Sequence, residues 1–279
     1  MALERDYVLG THDEEIARLA VQHRVWRPRA LDAWRRAGIT VGDTVLDVGS
    51  GPGHAALDLA EIVGPAGRVV AIDRSRRFLD WLEAARAARG LANLTTHEVD
   101  LDEERLPQVA ADAAWSRWVF AFVQRPRDLL ARVASALRPG GVLVMHEYID
   151  YAAWRMSPRS PEFEAFVQAV IASWRASGGE PDIGLDLPRW LEELGFDLRS
   201  LTTYIDMIAP SDFAWQWPRA FIDVGVRRLV DLGTLSETEA ESVTRVVATG
   251  EATPGTRMVT PAVLEIIAVK GAVKGRPPA

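Results

Sequence analysis

A glycine-rich segment that directly follows a short apolar run constrains this chain more than any other feature. Residues 44–48 (TVLDV) are β-branched and apolar, as in a buried strand, and they lead into residues 49–53 (GSGPG). Glycines at alternate positions let a strand turn sharply into a helix and let the backbone approach a ligand closely. A helical pattern follows from His54 to Val63. The segment therefore predicts a strand–loop–helix unit with a ligand site at its turn.

The next hundred residues continue to alternate between strand and helix patterns. Further strands are predicted at 68–73, 94–99, 112–119 and 142–147, with helices at 75–89 and 127–137 between them. Consecutive strand–helix–strand units place their strands parallel and their helices on both faces of one sheet. The pattern therefore predicts an α/β domain.

The flanking regions follow a different pattern. Residues 14–37 have apolar residues at helical spacing, and we expect one or two helices broken near Pro28. After Asp150 the expected elements are a loop (151–161), helices (162–176, 187–194, one from Ser211 and 236–248) and strands (196–209 and 256–269). Ser236 and Glu239 have the spacing of a capping box.

Composition excludes several classes of site. The 279 residues include no cysteine, so disulfides, thiolate zinc sites and a cysteine nucleophile are excluded. The formal net charge of −7 disfavours a nucleic-acid substrate, because phosphate binding draws on a basic excess. No stretch of about 18 residues lacks charge, and residues 1–10 lack an apolar segment. We therefore expect no membrane span, no signal peptide and a cytoplasmic protein.

Two ligand classes compete for the glycine loop. Residues 51–56 (GPGHAA) fit the relaxed dinucleotide fingerprint, which leaves a nicotinamide- or flavin-dependent oxidoreductase open. Asp47, however, ends the preceding strand, where a carboxylate would repel a pyrophosphate but attract an ammonium or sulfonium group. Asp73 ends the next strand, a position suited to hydrogen bonds with ribose hydroxyls.

Five segments together resemble the class I S-adenosylmethionine-dependent methyltransferases. They are VLDVGSGPG (45–53), VVAIDRS (69–75), Asp100-Leu101, DAAWSRWVF (112–120) and LRPGGVLVMHE (137–147). Segments 7–22 and 256–270 look like bacterial members related to the ubiquinone/menaquinone-type enzymes. The resemblance implies a Rossmann-like, doubly wound, mostly parallel seven-stranded sheet, with N-terminal helices and a helical lid inserted after the fifth strand.

The resemblance also implies one catalytic domain with four parts. These are an N-terminal helical lid segment (1–38), an S-adenosylmethionine-binding core (39–150), a helical insertion (151–186) and C-terminal core strands (187–279) with a helical cap at about 211–248. The expected partner is a small-molecule methyl acceptor, such as a natural product or a quinone-like or aromatic metabolite, and not a nucleic acid. A homodimer stays open, and so does a non-catalytic cofactor-binding protein with the same fold.

By the same resemblance, the cofactor S-adenosylmethionine, with S-adenosylhomocysteine as its product, would have a defined set of contacts. The implied residues are Asp47, Gly49, Ser50, Gly51 and Gly53 around the methionine moiety, Ser116 or Arg117 bordering it, Asp73 on the ribose, Arg74 beside the adenine, Asp100 and Leu101 on the adenine, and Tyr7 and Gln22 in a segment that folds over the cofactor.

Methyl transfer from a sulfonium can run on positioning and desolvation, so an obligatory catalytic side chain is not required. If the acceptor must lose a proton, His146 and Glu147 are the candidate bases, since the fifth strand ends beside them. Strand alternation places the two on opposite faces, and Glu147 is alternatively one half of a buried ion pair with Arg117. The end of the fourth strand (Trp115 to Trp118) offers no oxygen cluster for a metal.

Acceptor choice is expected to depend on aromatic side chains, most of them outside the core strands. An aromatic lid would exclude water and hold a planar or hydrophobic acceptor, although helix packing or a dimer interface would use the same residues. The predicted pocket residues are Trp26, Trp118, Tyr148, Trp154, Phe166, Trp174 and Trp217.

Overall fold

A computed structural model describes residues 13–271 of the chain. Its ten strands are β1 (Thr44–Val48), β2 (Arg68–Asp73), β3 (Leu94–Glu98), β4 (Ala111–Arg117), β5 (Leu137–Asp150), β6 (Arg155–Ser157), β7 (Phe196–Tyr204), β8 (Met207–Ile208), β9 (Arg257–Val259) and β10 (Ala262–Lys270). Its eight α-helices are α1 (Asp13–Ala37), α2 (His54–Val63), α3 (Arg76–Ala88), α4 (Pro126–Ala136), α5 (Pro161–Ala176), α6 (Leu187–Glu193), α7 (Gln216–Asp231) and α8 (Glu237–Ala252). None of these helices has the length and apolar character needed to cross a bilayer.

The main sheet has seven strands in the order β3-β2-β1-β4-β5-β10-β7. The first five strands in this order are parallel, and β10 runs antiparallel to both of its neighbours. Helices cover both faces, as the alternating strand residues require. Val45 and Val69 pack with α1 and α2 on one face, whereas Leu46 and Val70 pack with α4 and α6 on the other. The predicted Rossmann-like, doubly wound α/β fold is therefore confirmed.

A third apolar cluster lies beyond the carboxyl end of β5. Helices α5, α7 and α8 pack against one another, and α7 also packs against α1. Beside them a small antiparallel sheet has the order β6-β9-β8. The sequence did not predict this second sheet, since its strands are only two or three residues long.

Three of the sequence predictions need correction. Helix α1 continues through Pro28 rather than breaking there, because Trp26, Ala30 and Trp34 on both sides of the proline are buried in the core. Residues 151–161 are not a simple loop, since they contain a short 3₁₀ turn and β6. The long strands predicted at 196–209 and 256–269 are each divided in two, because their ends pair in the small sheet.

Candidate functional site

A cleft opens at the carboxyl ends of the parallel strands β1 to β4, where open α/β sheets bind their ligands. The glycine loop after β1 and the first turn of α2 form one side, and α1 closes it through Leu19 and Gln22. The segment after β4, including Trp118 and Val119, also lines the cleft.

Gly49 and Gly53 of the loop have different roles. Gly49 has φ +66°, and a Cβ there would lie 2.4 Å from a Val119 methyl carbon, so this glycine lets the loop touch the segment after β4. Gly53 has φ +76°, and a Cβ there would lie 2.3 Å from a Leu82 methyl carbon. Gly53 therefore lets the loop pack closely against α3, and it does not line the cleft.

Asp73 is tied to the same loop. One carboxylate oxygen accepts a 2.7 Å hydrogen bond from the Gly51 backbone N–H, and the other accepts one of 2.8 Å from the Ser75 N–H. Burial raises the pKa of Asp73, while these backbone donors favour its ionised form. The side chain still lines the cleft, so its remaining lone pairs can accept from a ligand hydroxyl.

Asp47 and Arg117 both lie in the cleft wall and influence each other electrostatically. Asp47 is buried, which raises its pKa to about 7, although the charge of Arg117 opposes that rise. Burial lowers the pKa of Arg117 to about 10, so this guanidinium stays protonated at neutral pH. Within residues 13–271, neither Asp47 Oδ2 nor Arg117 Nη1 has a hydrogen-bond partner, although both atoms are buried. Each residue therefore keeps one polar atom for a ligand.

Trp118 follows β4 in a left-handed conformation, with φ +53°, which is unusual for a bulky side chain. Glu147 holds the turn that follows it. Its Oε1 accepts hydrogen bonds from the N–H groups of Val119 (2.8 Å) and Phe120 (2.9 Å). Burial raises the pKa of Glu147 to about 7. The expected Glu147–Arg117 ion pair is wrong, because Arg117 instead bonds to His23.

His146 lies in the core rather than on the cleft wall. It is fully buried, and its Nε2 is 3.0 Å from Oε2 of Glu265 on β10. The rings of Trp26 and Trp115 pack around it. Neither His146 nor Glu147 lines the cleft. Their role as bases therefore stays a prediction that no contact with the cleft supports.

Most of the predicted cofactor residues come together in this one cleft. Those on its wall are Gln22, Asp47, Gly49, Ser50, Gly51, Asp73, Arg74, Asp100, Leu101 and Arg117. Gly53 packs on α3 as described, and Ser116 points away because strand alternation turns Trp115 and Arg117 towards the cleft instead. Tyr7 lies outside the described residues.

Of the seven predicted acceptor residues, Trp118 lines the cleft. The other six are buried in the apolar cluster under the cap: Trp26, Tyr148, Trp154, Phe166, Trp174 and Trp217. Trp118 is stacked between Tyr148 and Trp217, with ring centroids 5.3 and 5.5 Å apart. In this structure these six side chains therefore contribute to helix packing, which was the alternative to lining an acceptor pocket.

Sequence reasoning missed several residues of the wall. They are Leu19, Pro52, His54, Ala55, Ser75, Phe78, Asp102, Trp115, Val119, Phe122 and Val123. His54 had a usable signal, since it directly follows the glycine loop at the start of α2. The apolar residues of the wall gave no such signal, because apolar residues after a strand are as typical of a hydrophobic core as of a binding site.

Comparison with known proteins gives the family. Residues 45–141 match the model of a methyltransferase domain. These residues include β1 to β4 and the loops that form the cleft. They form a class I S-adenosylmethionine-dependent methyltransferase domain. The cofactor of this family is S-adenosylmethionine.

Two curated relatives illustrate the range of this methyltransferase family. The chain is 28% identical over 163 residues to the tRNA 5-carboxymethoxyuridine methyltransferase of Escherichia coli K12, covering 57% of this chain and 61% of that protein. It is 26% identical over 127 residues to the ubiquinone/menaquinone biosynthesis C-methyltransferase of Pseudomonas fluorescens, covering 45% and 48%. The chain thus spans less than two thirds of the length of either relative.

Solved structures share the fold of the methyltransferase domain at low identity. A putative methyltransferase from Bacillus halodurans superposes with a TM-score of 0.57 at 16% identity, over 87% of this chain and 98% of that one. The [4+2]-cyclase SpnF superposes with a TM-score of 0.55 at 19% identity, over 88% and 81%. At these identities the likeness concerns the fold alone.

Proposed function

We propose that this protein transfers a methyl group from S-adenosylmethionine to a small-molecule acceptor. One observation carries the proposal: four of the charged residues on the cleft wall follow one another in order across adjacent strands. Arg117 ends β4, Asp47 is on β1, Asp73 ends β2 and Asp100 follows β3. At the usual spacing of about 4.8 Å between strands, this row spans roughly 14 Å.

The order of charges matches the order of groups in the cofactor. Arg117 would bind the methionine carboxylate and Asp47 the ammonium group, because each has an unpartnered buried atom in that part of the wall. Asp73 would bind the ribose hydroxyls, and Asp100 would accept from the adenine amino group with Leu101 against the ring. A dinucleotide would instead place its pyrophosphate near Asp47, which a buried carboxylate disfavours.

The remaining wall supports an apolar or aromatic acceptor. Trp115, Trp118 and Phe122 lie near Arg117 in the sequence and face the cleft. Such a surface excludes water and offers flat contacts to a planar molecule. The net charge of −7 supports a small molecule over tRNA, although one relative acts on tRNA.

The described residues would contribute binding, orientation and exclusion of water. The bound cofactor would supply an electrophilic methyl group on a sulfonium. Gln22 and Leu19 of α1 line the cleft, and so does the Trp118 turn, which Glu147 stabilises through the Val119 N–H. Ordering the acceptor against this wall can supply much of the rate without a base.

Calorimetry with S-adenosylhomocysteine and with NAD tests the cofactor. We expect S-adenosylhomocysteine to bind the wild type. The substitutions Asp47→Asn and Arg117→Ala should each lower this affinity by about tenfold or more. Asp80→Asn is the matched control, since this carboxylate is exposed on α3 and pairs with Arg76. Binding of NAD without S-adenosylhomocysteine would overturn the proposal.

The acceptor class needs a separate experiment. Methyl-labelled S-adenosylmethionine would be incubated with the enzyme and either a metabolite extract or bulk tRNA. Label in the metabolite fraction supports a small-molecule acceptor, whereas label only in tRNA overturns that half of the proposal. Cofactor binding with no transfer to either fraction would favour a role without methyl transfer.

A further inference from the structure

Behind Arg117 lies a chain of polar contacts that the proposed function does not use. Arg117 Nη2 is 3.1 Å from Nδ1 of His23 on α1, and His23 Nε2 is 3.0 Å from Oδ2 of Asp58 on α2. Arg27 also donates to Asp58, over 2.7 Å. His23 and Asp58 are buried, and neither lines the cleft.

The contacts determine which nitrogen of His23 carries the proton. A guanidinium only donates hydrogen bonds, so Nδ1 of His23 must accept from Arg117. The other nitrogen, Nε2, must then carry the hydrogen and donate it to Asp58. His23 is consequently neutral and held in one tautomer and one orientation.

This arrangement leaves Arg117 with one constrained edge and one unpartnered edge. Nη2 is held by His23, while Nη1 is buried and has no partner among residues 13–271. The ring of Trp118 lies 5.3 Å from the guanidinium carbon and restricts it further. Because a guanidinium is planar and rigid, fixing one nitrogen also fixes the direction of the other.

We infer that His23 is a positioning residue, supported by Asp58, that aims the guanidinium of Arg117 at the carboxylate of the cofactor's methionine moiety. The inference rests on the proposed function, because it assigns that carboxylate to Arg117. His23 does not touch the ligand and acts through Arg117 alone.

A pH dependence follows from the tautomer. The charged and titratable groups that face His23 are Arg117 from β4, Asp58 and His54 from α2, and Arg27 from its own helix. Burial lowers the pKa of His23, and burial lowers that of His54 to about 4. Hydrogen bonds from His23 and Arg27 keep the pKa of Asp58 lowered despite its burial, so Asp58 stays ionised. Because the pKa of His23 lies below its ordinary value of 6.5, His23 gains a proton on Nδ1 only at acid pH, and protonation breaks its bond from Arg117.

Calorimetry with S-adenosylhomocysteine between pH 5 and 8 tests the inference on three variants. In His23→Asn the amide oxygen can still accept from Arg117 but does not titrate. We expect it to bind within about threefold of wild type at pH 7.5 and to show a smaller decline in affinity at acid pH, the remaining decline coming from Asp47, whose pKa is about 7. His23→Phe lacks the acceptor, and we expect about tenfold weaker binding. Arg24→Ala, an exposed neighbour on the same helix, should behave as wild type.

A double-mutant cycle separates positioning from a purely structural role. If His23 acts through Arg117, His23→Phe should weaken binding little further in an Arg117→Ala background. Equal losses in both backgrounds would overturn the inference, as would an acid decline in His23→Asn equal to that of wild type. If the wild type itself fails to bind S-adenosylhomocysteine, the proposed function fails instead. If His23→Phe does not fold, the pH profile of His23→Asn decides.

Discussion

The carboxylate of Asp73 accepts a 2.7 Å hydrogen bond from the backbone N–H of Gly51, which joins the end of β2 to the middle of the glycine loop. This bond gives Asp73 a role before any ligand arrives, because it holds the loop in the shape that forms the cleft. The second oxygen, bonded to the Ser75 N–H, fixes the orientation of the carboxylate. Asp73 is therefore preorganised for a ligand with vicinal hydroxyls.

Replacing Asp73 with alanine should weaken S-adenosylhomocysteine binding by about 10- to 100-fold, since charge-assisted hydrogen bonds are each worth about 1.5–3 kcal/mol. Titration calorimetry measures this change. Asp80→Ala is the control, because it removes a carboxylate that is exposed on the neighbouring helix. An unchanged affinity in Asp73→Ala would remove Asp73 from the site.

Gly53→Ala should cost much more stability than Gly90→Ala. Both glycines have positive φ, which costs an alanine about 1–2 kcal/mol. At Gly53 the new methyl would also collide with Leu82, adding about 1–3 kcal/mol, whereas nothing lies within 4 Å of the new methyl at Gly90. Urea unfolding of the two variants gives the difference directly. Equal free energies of unfolding would mean that α3 moves away from the loop without resistance.

The stability of the wild type should contain a pH-dependent component from Glu147. Burial raises its pKa from 4.5 to about 7, so the folded state binds a proton more tightly than the unfolded state. This contribution is fully present below pH 4.5 and is lost as the pH rises towards 7. Glu147→Gln lacks the titration and keeps an acceptor for the Val119 and Phe120 N–H groups. The free energy of unfolding of Glu147→Gln should therefore rise relative to that of wild type as the pH increases from 4.5 to 7.

Asp47 also titrates between pH 4.5 and 7, because burial raises its pKa to about 7. Its contribution to stability is the same in wild type and in Glu147→Gln, so it cancels from the difference between them. Glu147→Ala is the second variant, and it should be less stable than Glu147→Gln. It leaves two buried N–H donors without an acceptor, at about 1–3 kcal/mol each. A constant difference between wild type and Glu147→Gln from pH 4.5 to 7 would contradict the prediction.

Trp118→Ala should affect the acceptor more than the cofactor. Its ring lies on the cleft wall and stacks between Tyr148 and Trp217. Truncation therefore widens the acceptor side of the cleft and removes one stacking contact on each face of the ring. With an acceptor found by methyl labelling, we expect KM for the acceptor to rise by about tenfold or more. The affinity for S-adenosylhomocysteine should fall by a smaller factor, which reflects only the loss of the ring's restraint on Arg117. The reverse pattern would place the indole against the cofactor.

Much of the fold and of the cofactor site could be predicted from sequence, because the signals are local. Alternating strand and helix patterns, left-handed glycines after β1 and the Ser236–Glu239 capping box each involve neighbouring residues, and the structure contains all of them. Asp47 and Asp73 were predicted for the same reason, and Asp100 was implied by the resemblance to the family. Each ends or follows a parallel strand, and the topology brings such ends to one edge of the sheet.

The acceptor side could not be predicted in this way. An aromatic side chain at helical spacing packs equally well in a core or in a pocket, and six of the seven predicted aromatics belong to the core under the cap. The continuation of α1 through Pro28 was equally hidden, since it depends on buried contacts on both sides of the proline.

The sequence by itself determined the order of elements, the parallel sheet and the charged groups at the strand ends, because periodicity, glycine conformation and strand polarity act over a few residues. Only the tertiary structure decided which atoms meet across the chain. Arg117 bonds to His23, 94 positions away, rather than to Glu147, and His146 bonds to Glu265, 119 positions away. These partners are chosen by the packing of α1 and β10 onto the sheet, and no local pattern encodes such packing.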